Sequence, residues 1–461
     1  MPPDDAYVEK TDFSERTPLL PTPADPVKGS KWTQVAQLLI LSVVHMLGVS
    51  PLAALLSLDG ILNPEIGMYA LTAHYSGTLI SFVTAPVITR KFGAKGTILF
   101  GWGGQFLFVA AHFYPQAYLL VPVAFFVGIG HAQTMITNAV YVTTLALRYS
   151  DLTKQPQESV MGLFNGIFYS IFMFDGVISN TLSSLVLIKP IEYNVSVLAN
   201  LSELCGPSFC PWEDTSGTYL RQPEQYIVYI LLGVFLGMVA VAFLTTLFFL
   251  KNIPATTGDS LHGARAFCGK VGHLMFKRKL VLLIPIFMMI GLEQQFMMTE
   301  FTKGFVSCEI GIQYNGWSMV CFGSGQIVGS LVTGRLVKFV NWTVMYVVAA
   351  CCNIGCLTTM LYFEANFTTM EYYFLVPFAW GLADSVWMTQ SLAFTGHMFP
   401  EEKWPVFVVC RNSLYATYAA LFAYSNFVCM DVKIYIAYGM VTLSFMSFIL
   451  FSIFRRFEKT G

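Results

Sequence analysis

The chain reads as about twelve long apolar stretches separated by short polar turns. Runs of roughly 20 residues, enough helix to cross about 30 Å of hydrocarbon, fall at 32–58, 69–89, 95–113, 118–147, 160–188 and 225–250. Six more fall at 280–305, 312–334, 342–363, 372–398, 404–428 and 432–454. The pattern predicts an all-α membrane protein of about twelve transmembrane helices. A polar tail covers 1–31, and a basic stretch at 251–279 parts the spans into two six-helix bundles, 32–250 and 280–454, before a second tail at 455–461.

Composition agrees with this pattern. Only 11% of the 461 residues are charged, against about 25% in soluble domains, and mean hydropathy is +0.60. A soluble globular protein is excluded. A net charge of −1 gives no field to attract nucleic acid.

The charges that remain set an orientation. Twenty-one of the 26 Lys and Arg fall on the side of the N-terminal tail, four on the opposite side (Lys189, Arg221, Lys303 and Lys433), and Arg411 inside a span. By the positive-inside rule both termini are expected in the cytoplasm. The sequons at Asn194, Asn200 and Asn366 then fall in outside loops, where glycosylation is possible, whereas Asn341 falls inside and should stay bare.

The first thirty residues lack a basic segment followed by an apolar core, so they read as a polar tail rather than a cleaved signal peptide. Within it, Glu15 followed by Leu19 and Leu20 fits an acidic dileucine sorting signal for a cytosolic adaptor, which bears on plasma membrane versus endosome–lysosome residence. The basic residues from Arg265 to Lys279 alternate with Phe267, Val271, Leu274 and Met275. That pattern suits a helix lying on anionic membrane lipids, or charge that serves orientation alone.

Ten cysteines are too few for a disulfide scaffold and lack the partners of a metal site, so no metal or cofactor is expected. Cys205 and Cys210 share one outer loop, and Cys308 and Cys429 lie at outer span ends. The expected disulfides are Cys205–Cys210 first and Cys308–Cys429 second. No phosphate loop, nucleophile elbow or metalloprotease motif is present, so an enzyme is not expected.

VPVAFFVGIGHAQT from Val121 aligns with VPFAWGLADSVWMT from Val376 with a one-residue gap, which suggests a parallel duplication of the major facilitator kind. Other runs carry a more specific likeness. They are Lys95-Gly96-Thr97-Ile98, FNGIFYSIFMFDGVISNTLSSLVL from Phe164, CGPSFC from Cys205, IPIFMMIGLEQQF from Ile284, CEIGIQ from Cys308 and GLADSVWMTQ from Gly381. With these the chain resembles the Unc-93-like family of major facilitator proteins from about Arg90 to the last span. The resemblance implies a major facilitator fold and a partner protein. That partner would be a two-pore potassium channel, in potassium homeostasis, or a receptor whose trafficking the protein assists; a secondary transporter stays open beside these.

Ionisable groups inside a membrane are costly and default to functional candidates. His45, His131, Glu293 and Asp384 lie in spans one, four, seven and ten, the helices that line the cavity of a facilitator. They could bind a cation or exchange protons, or pair among themselves as relics. Gln294, Gln295 and Gln390 could satisfy the carboxylates, and Arg411 could snorkel to the interface or pair with Asp384. Asp175 reads as a side-wall residue and His74 as packing. The turn Arg90-Lys91-Phe92-Gly93-Ala94-Lys95 lacks the acid of a conventional facilitator latch, as does 338–342, which shifts weight from transporter to regulator.

Overall fold

A computed structural model of the chain describes residues 30–63, 66–155, 157–172, 174–187, 205–211, 223–252, 269, 271–336, 339–362, 369–399 and 403–460. The long helices are α1 (Lys31–Leu62), α2 (Gly67–Ala111), α3 (Ala117–Thr153), α4 (Gln157–Phe172), α5 (Phe174–Leu187) and α6 (Gln225–Phe249). The second half has α7 (Ile284–Gln295), α8 (Asn315–Leu336), α9 (Trp342–Tyr362), α10 (Tyr372–Met398), α11 (Lys403–Tyr424) and α12 (Met430–Thr460).

These make twelve membrane-length segments among the described residues. Helix α2 supplies two, because Gly93 at φ +67 turns the chain back on itself; a Cβ there would also come within 3.2 Å of Asn252 Oδ1. Helices α4 and α5 together form one. Helix α7 runs on as a wider π-helix over Phe296–Ile310, a form that recurs at functional sites, and Gly311 at φ +105 ends it.

The duplication expected from sequence is visible in packing. Pro122 lies five residues into α3 and Pro377 five residues into α10. A Cβ on Gly77 of α2 would meet the Phe125 carbonyl oxygen at 2.1 Å, and one on Gly325 of α8 would meet that of Phe378 at 2.2 Å. Each half thus brings two helices to backbone contact just past its proline, where only glycine leaves room.

We call the face with the start of α1 and the end of α12 the terminal face, and its opposite the distal face. The two halves meet most extensively toward the distal face. Tyr75 of α2 stacks on Tyr418 of α11 at 4.5 Å and on Phe422 at 5.5 Å. Thr299 Oγ1 donates to the Leu56 carbonyl at 3.3 Å, and α8 packs so tightly on α5 that a Cβ on Gly316 would sit 2.0 Å from the Asn180 carbonyl oxygen. At the terminal face, polar contacts tie the N-terminal half to itself. Gln37 Nε2 donates to the Phe249 carbonyl at 3.1 Å, and Tyr141 Oη to that of Lys251 at 2.7 Å.

Helix ends depart from the expected ones where they matter. Helix α1 continues past residue 58 and buries Asp59, and the segment after α7 reaches Ile310. Lys303 and Lys433, sorted by sequence to the opposite side at the ends of their spans, are buried within helices. The first span set by hydropathy stops just before Asp59, whereas the helix continues because that charge finds a buried partner in His112.

Candidate functional site

Two of the four expected cavity groups meet. Glu293 ends α7 just before the helix widens, and its Oε1 accepts from Asn353 Nδ2 at 2.6 Å. Asn353 is held in turn by Trp387 Nε1 at 2.9 Å, and Trp380 Nε1 donates to the Glu293 backbone carbonyl at 3.2 Å. Asp384 Oδ2 accepts from Gln326 Nε2 at 2.5 Å. The two carboxyl groups are in contact with each other, and Gln294 reaches Asp384. Glu293 Oε2 and Asp384 Oδ1, both buried, face no donor among the described residues. Two carboxyl groups in contact hold together only with a proton or a cation between them.

A polar chain leads from this pair to the other half of the molecule. Tyr418 Oη donates to Gln294 Oε1 at 2.5 Å while its ring stacks on Tyr75. Gln295 turns away from Glu293 and donates to Glu300 Oε1 at 3.0 Å, and Gln390 Nε2 donates to Thr389 Oγ1 at 3.3 Å. No ion pair joins Arg411 to Asp384 among the described residues; the partners of that carboxylate are the amides named above.

His45 and His131 form separate clusters in the N-terminal half. The His45 ring nitrogens lie 2.6 and 3.2 Å from Asn138 Nδ2 and 3.4 Å from Met135 Sδ, inside a cage of Trp102, Phe168 and Phe172. His131 lies 5.6 Å from His74 between ring centroids. The pairing with His74 was not legible, because it depends on how α2 packs on α3. Asp175 accepts from its neighbour Gly176 N at 2.6 Å and is half-buried.

Sequence reading missed a second set of buried charges near the distal face. Asp59 Oδ1 accepts from Asn63 Nδ2 at 2.8 Å and lies 3.2 Å from His112 Nε2. Lys433 Nζ pairs with Glu300 Oε2 at 2.6 Å, both 2% exposed. The available signal was an acid and a base three residues apart, Glu300 and Lys303, at the end of an apolar run.

The disulfides use all four expected cysteines in a different pairing. Cys205 joins Cys308, and Cys210 joins Cys429. Cys205 and Cys210 flank a short turn, Gly206–Ser208, that points them at different elements: the end of the π-helix and the residue before α12. The backbone there is further fixed by Met430 N donating to the Phe209 carbonyl at 2.8 Å. Asn194, Asn200 and Asn366, the signal at Glu15, Leu19 and Leu20, and most of the basic stretch 251–279 lie outside the described residues.

Comparison with known proteins adds an independent line. The family model described as "Ion channel regulatory protein UNC-93" matches residues 58–370. The chain is 30% identical over 423 residues to Protein unc-93 homolog A of Xenopus laevis, covering 89% of this chain and 91% of that one. It is 27% identical over 372 residues to the Putative potassium channel regulatory protein unc-93 of Caenorhabditis elegans, covering 78% of this chain and 52% of the other. Among solved structures it resembles a D-xylose-proton symporter at TM-score 0.61 and 12% identity, over 90% of this chain and 97% of that one. At that identity the likeness is one of fold.

Proposed function

The chain belongs to the UNC-93 family, regulators on a major facilitator fold rather than enzymes, and from that premise we propose that it binds a potassium channel laterally in the membrane and sets its activity or delivery. The observation that carries this reading is the match of residues 58–370 to a family of ion channel regulatory proteins, together with the potassium channel named in the Caenorhabditis elegans relative. The channel class we favour is the two-pore potassium channel. Lateral binding suits a chain whose two halves are pressed together near the distal face and whose disulfides strap a loop of the first half onto helices of the second. We place both termini in the cytoplasm, glycans on Asn194, Asn200 and Asn366, and an adaptor contact at Leu19 and Leu20.

The test is co-expression with two-pore potassium channels, reading whole-cell potassium conductance and channel density at the surface. The expected result is a change of several-fold in one of the two and co-purification of the channel. Unchanged conductance and density across that channel class would overturn the proposal.

One observation favours a second reading, a secondary transporter: the contact between Glu293 and Asp384, which needs a proton or a cation as its third member. Liposomes holding the purified protein separate the readings. Cation- or proton-coupled flux lost in Glu293→Gln would replace the regulator reading as the whole account, and no flux would leave the carboxyl pair a regulatory or packing element.

A further inference from the structure

Outside the central carboxyl pair, the clearest imbalance of buried charge lies near the distal face. Glu300 and Lys303 of the π-helix and Lys433 of α12 meet there, none more than 4% exposed. Glu300 is complete. Its Oε2 takes Lys433 Nζ at 2.6 Å, and its Oε1 takes Ser425 Oγ at 2.6 Å and Gln295 Nε2 at 3.0 Å. Lys433 Nζ also donates to the Ser425 carbonyl at 2.7 Å. One negative charge is therefore matched by one positive charge.

Lys303 is the second positive charge, within electrostatic reach of both Glu300 and Lys433. No carboxylate lies within ion-pair distance of it among the described residues. Its ammonium lies 5.9 Å from the centre of the Phe209 ring, and a cation–π contact offsets only a fraction of what burying an unmatched charge costs. Asp59 is the acid nearest in sequence to Gly60, which packs beside the Lys303 stem; its Oδ1 is engaged by Asn63 and His112, its buried Oδ2 has no hydrogen-bond partner, and neither oxygen lies within ion-pair distance of Lys303. About one turn beyond Lys303 on the same helix, the buried Ser307 Oγ has no hydrogen-bond partner. A cation without an ion-pair partner and a hydroxyl without a hydrogen-bond partner thus lie four residues apart on one helix.

We infer that Lys303 and Ser307 form a binding site for a small monovalent anion, chloride or a short carboxylate. The anion accepts from Lys303 Nζ and from Ser307 Oγ, and it brings the cluster of Glu300, Lys303 and Lys433 to neutrality. Phe209 covers the site from the segment 205–211, which both disulfides hold in place.

The test measures thermal unfolding of the purified full-length protein at constant ionic strength, replacing gluconate by chloride and, in a second arm, by acetate. Chloride should raise Tm saturably. An acetate response of the same form assigns the site to carboxylates as well, and its absence assigns the site to halides. Lys303→Met should abolish the dependence and, in gluconate, unfold at or above the temperature of the unsubstituted protein, because the unmatched charge is gone. Ser307→Ala should raise the half-saturating chloride concentration about tenfold, the loss of one charge-assisted hydrogen bond. No dependence on either anion, or an undiminished dependence in Lys303→Met, overturns the inference. Should Lys303→Met fail to fold, an unshifted midpoint in Ser307→Ala overturns it equally.

Discussion

Two buried glutamates, Glu293 and Glu300, lie seven residues apart on one continuous helical segment, and their surroundings differ in kind. Glu300 has an ammonium, a hydroxyl and an amide on its two oxygens. Glu293 has one amide, an oxygen with no donor, and a second carboxyl group as its neighbour. A buried charge with a matched partner is a finished piece of structure: removing either member is costly, and nothing further is required of it. A pair of like groups is unfinished, because it needs a third party to hold it together. The lesson is that burial alone does not mark a site; incomplete satisfaction does. Glu293 and Asp384 are therefore the functional candidates and Glu300–Lys433 is a structural clamp.

The largest expected effect comes from breaking the clamp. Lys433→Met strands the Glu300 carboxylate in a site built for a cation and should cost about 3–5 kcal/mol, seen as loss of monodisperse protein or a large fall in Tm. Adding Glu300→Gln to Lys433→Met should recover most of that loss, because the remaining amide still has Ser425 and Gln295 as partners. Equal damage in the single and the double variant would mean the two side chains are not acting as a pair, and the contrast with Glu293 would lose its basis.

Next in size are the disulfides. Replacing Cys210 and Cys429 together by Ser should lower stability by about 2–5 kcal/mol, since the bond closes a sequence separation of 219 residues. Peptide mapping of unreduced protein should recover Cys205 linked to Cys308 and Cys210 linked to Cys429. A Cys205–Cys210 peptide would break the strap that fixes the roof over the clamp.

How much of this was legible without coordinates follows from the same contrast. The helices, their grouping into two halves and the resemblance that names the family were readable, because apolar run lengths and short motifs are local in sequence. Glu293 and Asp384 were readable as candidates because each interrupts an apolar run. Their contact was not, nor was the separation of His45 and His131 into other clusters, since both depend on which helix faces approach. Lys303 and Lys433 were read only as charges on the opposite side at the ends of their spans, and Asp59, just past the end of the first span, was passed over. The disulfide pairing failed because nearness in sequence stood in for direction: the Gly206–Ser208 turn sends its two cysteines to different helices.

The unfinished pair should respond in the opposite way to the clamp. Glu293→Gln replaces a like-charged contact by one in which an amide can donate to Asp384, so stability should be unchanged or higher by about 1 kcal/mol, while the activity sought above should fall. Asp384→Asn should behave alike. A fall in Tm as large as that of Lys433→Met would show that Glu293 is held as a matched charge after all and would erase the comparison.

The smallest expected effect lies on the link between the carboxyl pair and the N-terminal half. Tyr418→Phe removes the hydroxyl that donates to Gln294 and keeps the ring stacked on Tyr75, so it should cost about 0.5–1.5 kcal/mol. The informative measurement is a double-mutant cycle with Glu293→Gln. Gln294 lies beside both groups, reaching Asp384 and accepting from Tyr418, so a change of charge at the pair should alter how strongly it binds the tyrosine. Non-additivity above about 0.5 kcal/mol would mean that the carboxyl pair and the interface between the halves form one energetic unit. The same cycle run with Glu300→Gln should be additive, because the clamp closes on its own partners. Additivity in both cycles would leave the central pair as isolated as the clamp, and the route by which an occupant there could reach the other half would have to avoid Tyr418.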